Sequence, residues 1–185
     1  MESFISVWNQ LMVVGTFALM LASVIFIFAL LFPETGLGKI LRSFFGKNIL
    51  WVGFLLSFGA MVCSLIYSEF IGYPPCLFCW YLRIAIYPQV LLFAMALIKR
   101  DKKIIDYCLG LTVLGIIVSA THVVSENIGV SPLPCDASGP SCLIRYVYEY
   151  GFITIPVMGL VIMSTMFLAL LLAQKGLKTS VLPTA

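Results

Sequence analysis

Charge is what this sequence has least of: Asp, Glu, Lys and Arg make up 10% of its 185 residues, against 62% hydrophobic ones. Ordinary globular domains are about a quarter charged and roughly half apolar. A soluble domain is excluded for want of polar surface. Long polar stretches are also scarce, and only residues 126–151 form one, so no room remains for a separate soluble domain. The first residues carry Glu2 and no Lys or Arg. A secretory signal needs a basic start, a short apolar core and a small-residue cleavage site, so the first apolar run reads as a retained membrane span. Histidine is reduced to a single residue, His122.

What is present is long uncharged runs. A helix needs about 20 apolar residues to cross roughly 30 Å of hydrocarbon. Five segments qualify, near residues 11–32, 49–71, 79–98, 104–125 and 152–173. The expected fold is an all-α transmembrane helical bundle, a single integral membrane domain over residues 1–185. Phe32-Pro33-Glu34-Thr35-Gly36 faintly echoes a sortase signal, but such signals sit near a C-terminus, and here it reads as a connection.

The positive charges set the expected orientation. Lys39, Arg42 and Lys47 fall in the first connection, Lys99, Arg100, Lys102 and Lys103 in the third, and Lys175 and Lys178 after the last span. Short basic loops stay in the cytoplasm, which predicts an outer N-terminus and an inner C-terminus. Glu2, Glu69, Glu126, Asp136 and Glu149 then fall on the outer face.

That topology sorts the six cysteines. Cys63 and Cys108 lie within spans and read as small apolar fillers. Cys76, Cys79, Cys135 and Cys142 map to the outer face, beside a compartment in which disulfides persist. Tyr73-Pro74-Pro75-Cys76 turns the chain back into the membrane, prolines being tolerated at a helix start. Cys76 and Cys79 are then in a first helical turn, where unpaired N–H groups and the helix dipole favour the thiolate, the reactive form of cysteine.

Cys76, Cys79, Arg83 and Tyr87 share one stripe of that helix. Arg83 is one turn, about 6 Å, deeper than Cys79. A cation there costs a few kcal/mol unless paired, hydrated or able to snorkel. It either reaches up to lipid headgroups or stabilises a Cys79 thiolate or the oxygen of a reduced acceptor. Pro88 is expected to kink the helix and open space beside the stripe. A Cys-x-x-Cys by itself also suits zinc or a plain structural bridge.

The loop at 126–151 holds Cys135 and Cys142 among Gly129, Pro132, Pro134, Gly139 and Pro140. These turn-formers predict irregular, exposed structure with both sulfurs reachable by a soluble partner. Residues 143–150 alternate apolar, aromatic and charged side chains and read as an interfacial segment, helix or strand. The pair Cys135 and Cys142 is either redox-active or a staple for the loop. A zinc site built from all four outer cysteines is the remaining option, and no metal is expected. His122 is at the depth of Arg83 and is either an interfacial polar residue or part of the same pocket.

Pro75-Cys76-Leu77-Phe78-Cys79-Trp80-Tyr81-Leu82-Arg83, followed by Tyr87-Pro88, resembles the redox helix of DsbB-type disulfide bond formation proteins. Gly151-Phe152-Ile153-Thr154-Ile155-Pro156 resembles the start of the last helix in their BdbC-like branch. The related vitamin K epoxide reductases place the loop pair before the Cys-x-x-Cys; here it follows. The resemblance covers residues 49–173 and implies a four-helix DsbB-like core, to which this chain adds the span at 11–32. A second departure is that only six residues separate Cys135 from Cys142.

The resemblance further implies a thiol:quinone oxidoreductase of the bacterial cytoplasmic membrane. Such an enzyme reoxidises a DsbA-like thioredoxin-fold partner and draws on the membrane pool of ubiquinone or menaquinone. No nucleic-acid partner is implied. By the same resemblance Cys135 meets the partner's thiolate, Cys142 exchanges with Cys76, Cys79 faces the quinone, and Arg83 and His122 flank it. The competing reading is a non-enzymatic transporter or assembly factor with structural disulfides on its outer face.

Overall fold

The computed structural model describes residues 2–133 and 140–181. Five helices account for nearly all of them: α1 (Glu2–Leu31), α2 (Gly36–Leu65), α3 (Leu77–Lys99), α4 (Ile104–Ile128) and α5 (Ile155–Val181). All five are long and apolar enough to cross a membrane. Among the described residues there is no strand, and residues 143–150 form neither helix nor strand but an irregular stretch ending in a lone bridge between Glu149 and Ile153.

The helices reach further than the apolar runs. α1 starts at Glu2 rather than near residue 11, because Ser3, Ser6, Asn9 and Gln10 are uncharged and do not break a helix. Asn9 is buried and accepts a 3.2 Å hydrogen bond from Tyr67. α2 starts at Gly36 rather than near residue 49, so Lys39, Arg42 and Lys47 lie on its first turns and not in a connecting loop. The sortase-like stretch is its start signal: extended Thr35 caps the helix, its Oγ1 accepting the Gly38 N–H at 3.2 Å. α4 ends on Gly129, whose φ of +72° is a left-handed conformation that favours glycine.

At its far end α2 runs into a single π-helical turn, Ile66–Phe70, closed by a hydrogen bond from Ile71 N to Ile66 O at 2.9 Å. Such turns widen a helix locally and recur at functional sites. This one carries Tyr67 and Ser68.

α5 packs against α1, α2 and α4, while α3 fills the space between α2 and α4. Lipid is as apolar as leucine, so close backbone approach, not water exclusion, drives such packing. Gly53 admits the ring of Phe93, and Gly176 lies against the backbone of Arg42; a Cβ at either position would overlap those atoms.

The two halves of the bundle differ. The half bearing the basic residues is solid: Phe45, Ile49, Phe93, Ile105, Cys108, Met166 and Leu170 form one buried cluster. Cys108 is fully buried there, the apolar filler expected of it. The other half, toward Cys76, is hollow.

Candidate functional site

The hollow is a cavity of about 350 Å³, lined mainly by apolar side chains of all five helices. Cys76, Cys79, Arg83 and His122 all line it, as do Ser64 and Ser68 of the α2 end. Tyr87, on the same stripe by spacing, does not line it.

Cys76 is the extended residue that precedes α3, and Cys79 is in its first turn. Their sulfurs are 3.1 Å apart, well beyond the roughly 2.05 Å of a disulfide, and both are free thiols. The Cys76 thiol is held well below its ordinary value, first by the hydrogen bond from the Cys79 thiol and then by His122, against the opposing effect of burial. These contacts favour a thiolate at Cys76.

His122 faces that charge from α4. Its Nε2 is 3.8 Å from the Cys76 sulfur and 3.1 Å from the carbonyl oxygen of Cys142. A carbonyl only accepts, so Nε2 bears the proton. The ring stacks on Phe78 at 5.0 Å between centroids, which fixes its plane. The sulfurs of Cys76 and Cys79 and a ring nitrogen of His122 lie within 4.8 Å of one another. Cys142 is disulfide-bonded and is not one of this group.

Arg83 is held by the end of α2. Its Nε donates to Ser64 Oγ at 3.0 Å, and its Nη2 to the Ser64 carbonyl at 3.2 Å and to Ser68 Oγ at 2.7 Å. The guanidinium also stacks over Trp80, 5.1 Å from the ring centroid. The residue is buried, which answers the cost of a cation at this depth with fixed dipoles. Nη1 makes no hydrogen bond to the described residues, so one donor group is left on a side chain that borders the cavity. The signal for the two serines was a pair of hydroxyls four residues apart at the end of a span that is mainly apolar.

Cys142 corrects an expectation. It is 2% exposed rather than open to solvent, and it packs in one cluster with Cys76, Phe78 and Cys79. Irregular backbone here lies folded onto the helix ends. Tyr146 stacks on Tyr73 at 4.8 Å, and Arg145 pairs with Glu126 at 3.3 Å. Glu126 is itself buried and accepts from Thr154 Oγ1 at 2.8 Å. These contacts hold Cys142 in the buried cluster that contains Cys76. Cys135 lies outside the described residues. Cys63 also borders the cavity and is half-buried.

Five membrane-spanning helices with a dithiol at the mouth of one of them and an apolar cavity beneath define a multi-pass membrane protein with a thiol centre. Comparison with known proteins places it: the family described as "Disulfide bond formation protein DsbB" matches residues 46–175, and the chain belongs to that family. It is 33% identical over 135 residues to the SPbeta prophage-derived disulfide bond formation protein B of Bacillus subtilis, covering 71% of this chain and 91% of that protein. It is likewise 33% identical over 130 residues to disulfide bond formation protein C of the same organism, covering 69% and 94%. To the probable disulfide formation protein of Oceanobacillus iheyensis it is 35% identical over 137 residues, covering 71% and 94%. No solved structure matches. The family match leaves α1 outside, so the fold is a DsbB-like core plus one additional N-terminal helix.

Proposed function

We propose that the protein is a thiol:quinone oxidoreductase that reoxidises a DsbA-like thioredoxin-fold partner and passes the electrons to membrane ubiquinone or menaquinone. The observation that carries this reading is the shared cavity. A reduced Cys76–Cys79 pair, a buried arginine with a spare donor and a space open among membrane-spanning helices lie together. Cavities of a few hundred Å³ with few polar groups suit apolar ligands. The donor set fits a quinone: Arg83 Nη1 offers N–H groups to a ring oxygen, while the His122 Nε2–H is engaged by the Cys142 carbonyl.

All the basic residues except Arg83 and Arg145 belong to one end of the bundle, which supports placing that end in the cytoplasm and the cysteines outside the cytoplasmic membrane. In the catalytic cycle the partner's thiolate attacks Cys135 of a Cys135–Cys142 disulfide and releases the Cys142 thiolate. Cys142 attacks Cys76 of a Cys76–Cys79 disulfide and frees the Cys79 thiolate. The partner's second thiol then closes its own disulfide and frees Cys135. Cys135 re-forms the bond to Cys142, leaving Cys76 and Cys79 reduced. Their two electrons and two protons pass to the quinone, giving quinol and a new Cys76–Cys79 disulfide. A DsbA-like partner is strongly oxidising, near −120 mV by comparison with its class, so an acceptor must draw the electrons onward.

The test is oxidation of a reduced thioredoxin-fold substrate by the purified protein with and without quinone. Turnover is expected to need quinone and to vanish in Cys135→Ser, whose Cys76–Cys79 pair still reacts with quinone. Normal partner oxidation by Cys135→Ser would overturn the assigned entry point.

A further inference from the structure

The additional helix α1 is not an inert anchor against the bundle. Two polar contacts fix its register: Asn9 with Tyr67 at 3.2 Å near the cysteine end, and Ser23 Oγ with Thr165 Oγ1 at 2.8 Å deeper in the bundle. They are fourteen positions apart, about 21 Å of helix. Between them Met12, Gly15, Thr16 and Leu19 form part of the wall of the same cavity that Cys79 and Arg83 border.

This stretch of wall is apolar in effect. The one hydroxyl on it, Thr16 Oγ1, is already used on the Met12 carbonyl at 2.7 Å. No other side chain there carries a hydrogen-bonding group for a ligand. Facing it, α2 contributes Leu55, Leu56, Gly59 and Ala60. Gly15 and Gly59 both border the cavity, and a Cβ on either would meet nothing within 4 Å. Ser64, which holds Arg83, is five residues from Gly59 and nine from Leu55, about 7 and 13 Å along the helix. The cavity thus has a polar head, made of Arg83, Ser64 and the thiols, and an apolar remainder walled by α1 and α2 together with Leu82 and Ile86 of α3 and Met158 and Ile162 of α5.

We propose that α1 and the facing part of α2 form the site for the hydrocarbon tail of the acceptor, so that α1 sets selectivity for tailed over tail-less quinones. The inference rests on the thiol:quinone reading and names the part of the site that reads the tail. The head binds by Arg83; the first prenyl units lie against Met12, Gly15 and Leu19.

The experiment uses the full chain in lipid nanodiscs and a prenylated quinone carrying a photoreactive diazirine on its tail. Cross-links are expected on the peptide containing residues 12–19, and excess unlabelled prenylated quinone should remove them. In parallel, Gly15→Leu is expected to raise KM about tenfold for a prenylated quinone and less than twofold for a tail-less benzoquinone. Leucine is a good helix former with empty space to enter, so the fold should persist; Gly59→Leu on the opposite wall provides an independent second variant. Competed labelling confined to α2–α5, or equal KM changes for both quinones, would overturn the role of α1 while leaving quinone reduction intact. If the wild-type protein reduces neither quinone, the underlying reading fails and the tail site with it.

Discussion

Removing the serines that hold Arg83 is the sharpest perturbation of the polar head. Ser64→Ala and Ser68→Ala delete two of the three hydrogen bonds to the guanidinium, at 3.0 and 2.7 Å. The Ser64 carbonyl bond and the Trp80 stack remain. Hydrogen bonds to charged groups are worth about 1.5–3 kcal/mol in soluble proteins, but interhelical ones in membranes average nearer 0.6, with a maximum of about 1.7. Taking about 1 kcal/mol for each bond, the guanidinium loses about 2 kcal/mol of restraint. At about 1.4 kcal/mol per tenfold, kcat/KM for quinone should fall about fivefold in each single variant and about thirtyfold in the double. Steady-state quinone reduction measures this, with exchange between the partner and the Cys135–Cys142 pair as a control that should not change. Arg83→Gln should be at least as impaired as the double variant. A double variant at wild-type kcat/KM beside an impaired Arg83→Gln would refute the clamp. An unimpaired Arg83→Gln would remove Arg83 from the acceptor site altogether.

Three further outcomes are expected. Because the Cys76 pKa is lowered in the folded protein, its thiolate absorbance should persist below the ordinary thiol pKa of about 8.5 and fade only as pH drops through the lowered value; His122→Ala should shift that profile upward, and an unshifted profile would deny the contact. The thiolate's contribution to stability has the same sign, present above the ordinary thiol pKa and lost on acidification through the lowered one. Arg145→Ala leaves the Glu126 carboxylate buried with Thr154 alone and should cost about 1–3 kcal/mol, read as a lower thermal midpoint in detergent and faster proteolysis near residues 140–154. Phe93→Ala empties the solid half of the bundle at Gly53 and should cost about 3–5 kcal/mol, while the rate of Cys76–Cys79 oxidation by quinone stays within twofold.

The bundle was legible because membrane spans announce themselves by length and lack of charge, and all five runs became helices. Their ends were not legible. Uncharged polar residues such as Asn9 cost little once a partner like Tyr67 is near, and nothing local in the sequence names that partner. The stripe of Cys76, Cys79 and Arg83 followed from helical spacing alone. The burial of Cys142 did not, since the turn-forming residues around it report backbone shape and not which surface the backbone lies on. The Ser64–Ser68 grip on Arg83 depends on a π turn that has no reliable sequence signature. The contribution of α1 to the cavity was equally hidden: Gly15 reads as any membrane glycine until the neighbouring helices are in place.

The central claim is that electrons leave the protein from the Cys76–Cys79 pair to quinone. A single-turnover measurement tests it most directly: protein reduced at that pair is mixed anaerobically with excess quinone, and quinol formed is counted against Cys76–Cys79 disulfide gained. The expected result is one quinol per disulfide, unchanged in Cys135→Ser and absent in Cys79→Ser. Quinol formation that survives Cys79→Ser, or disulfide formation without quinol, would contradict it.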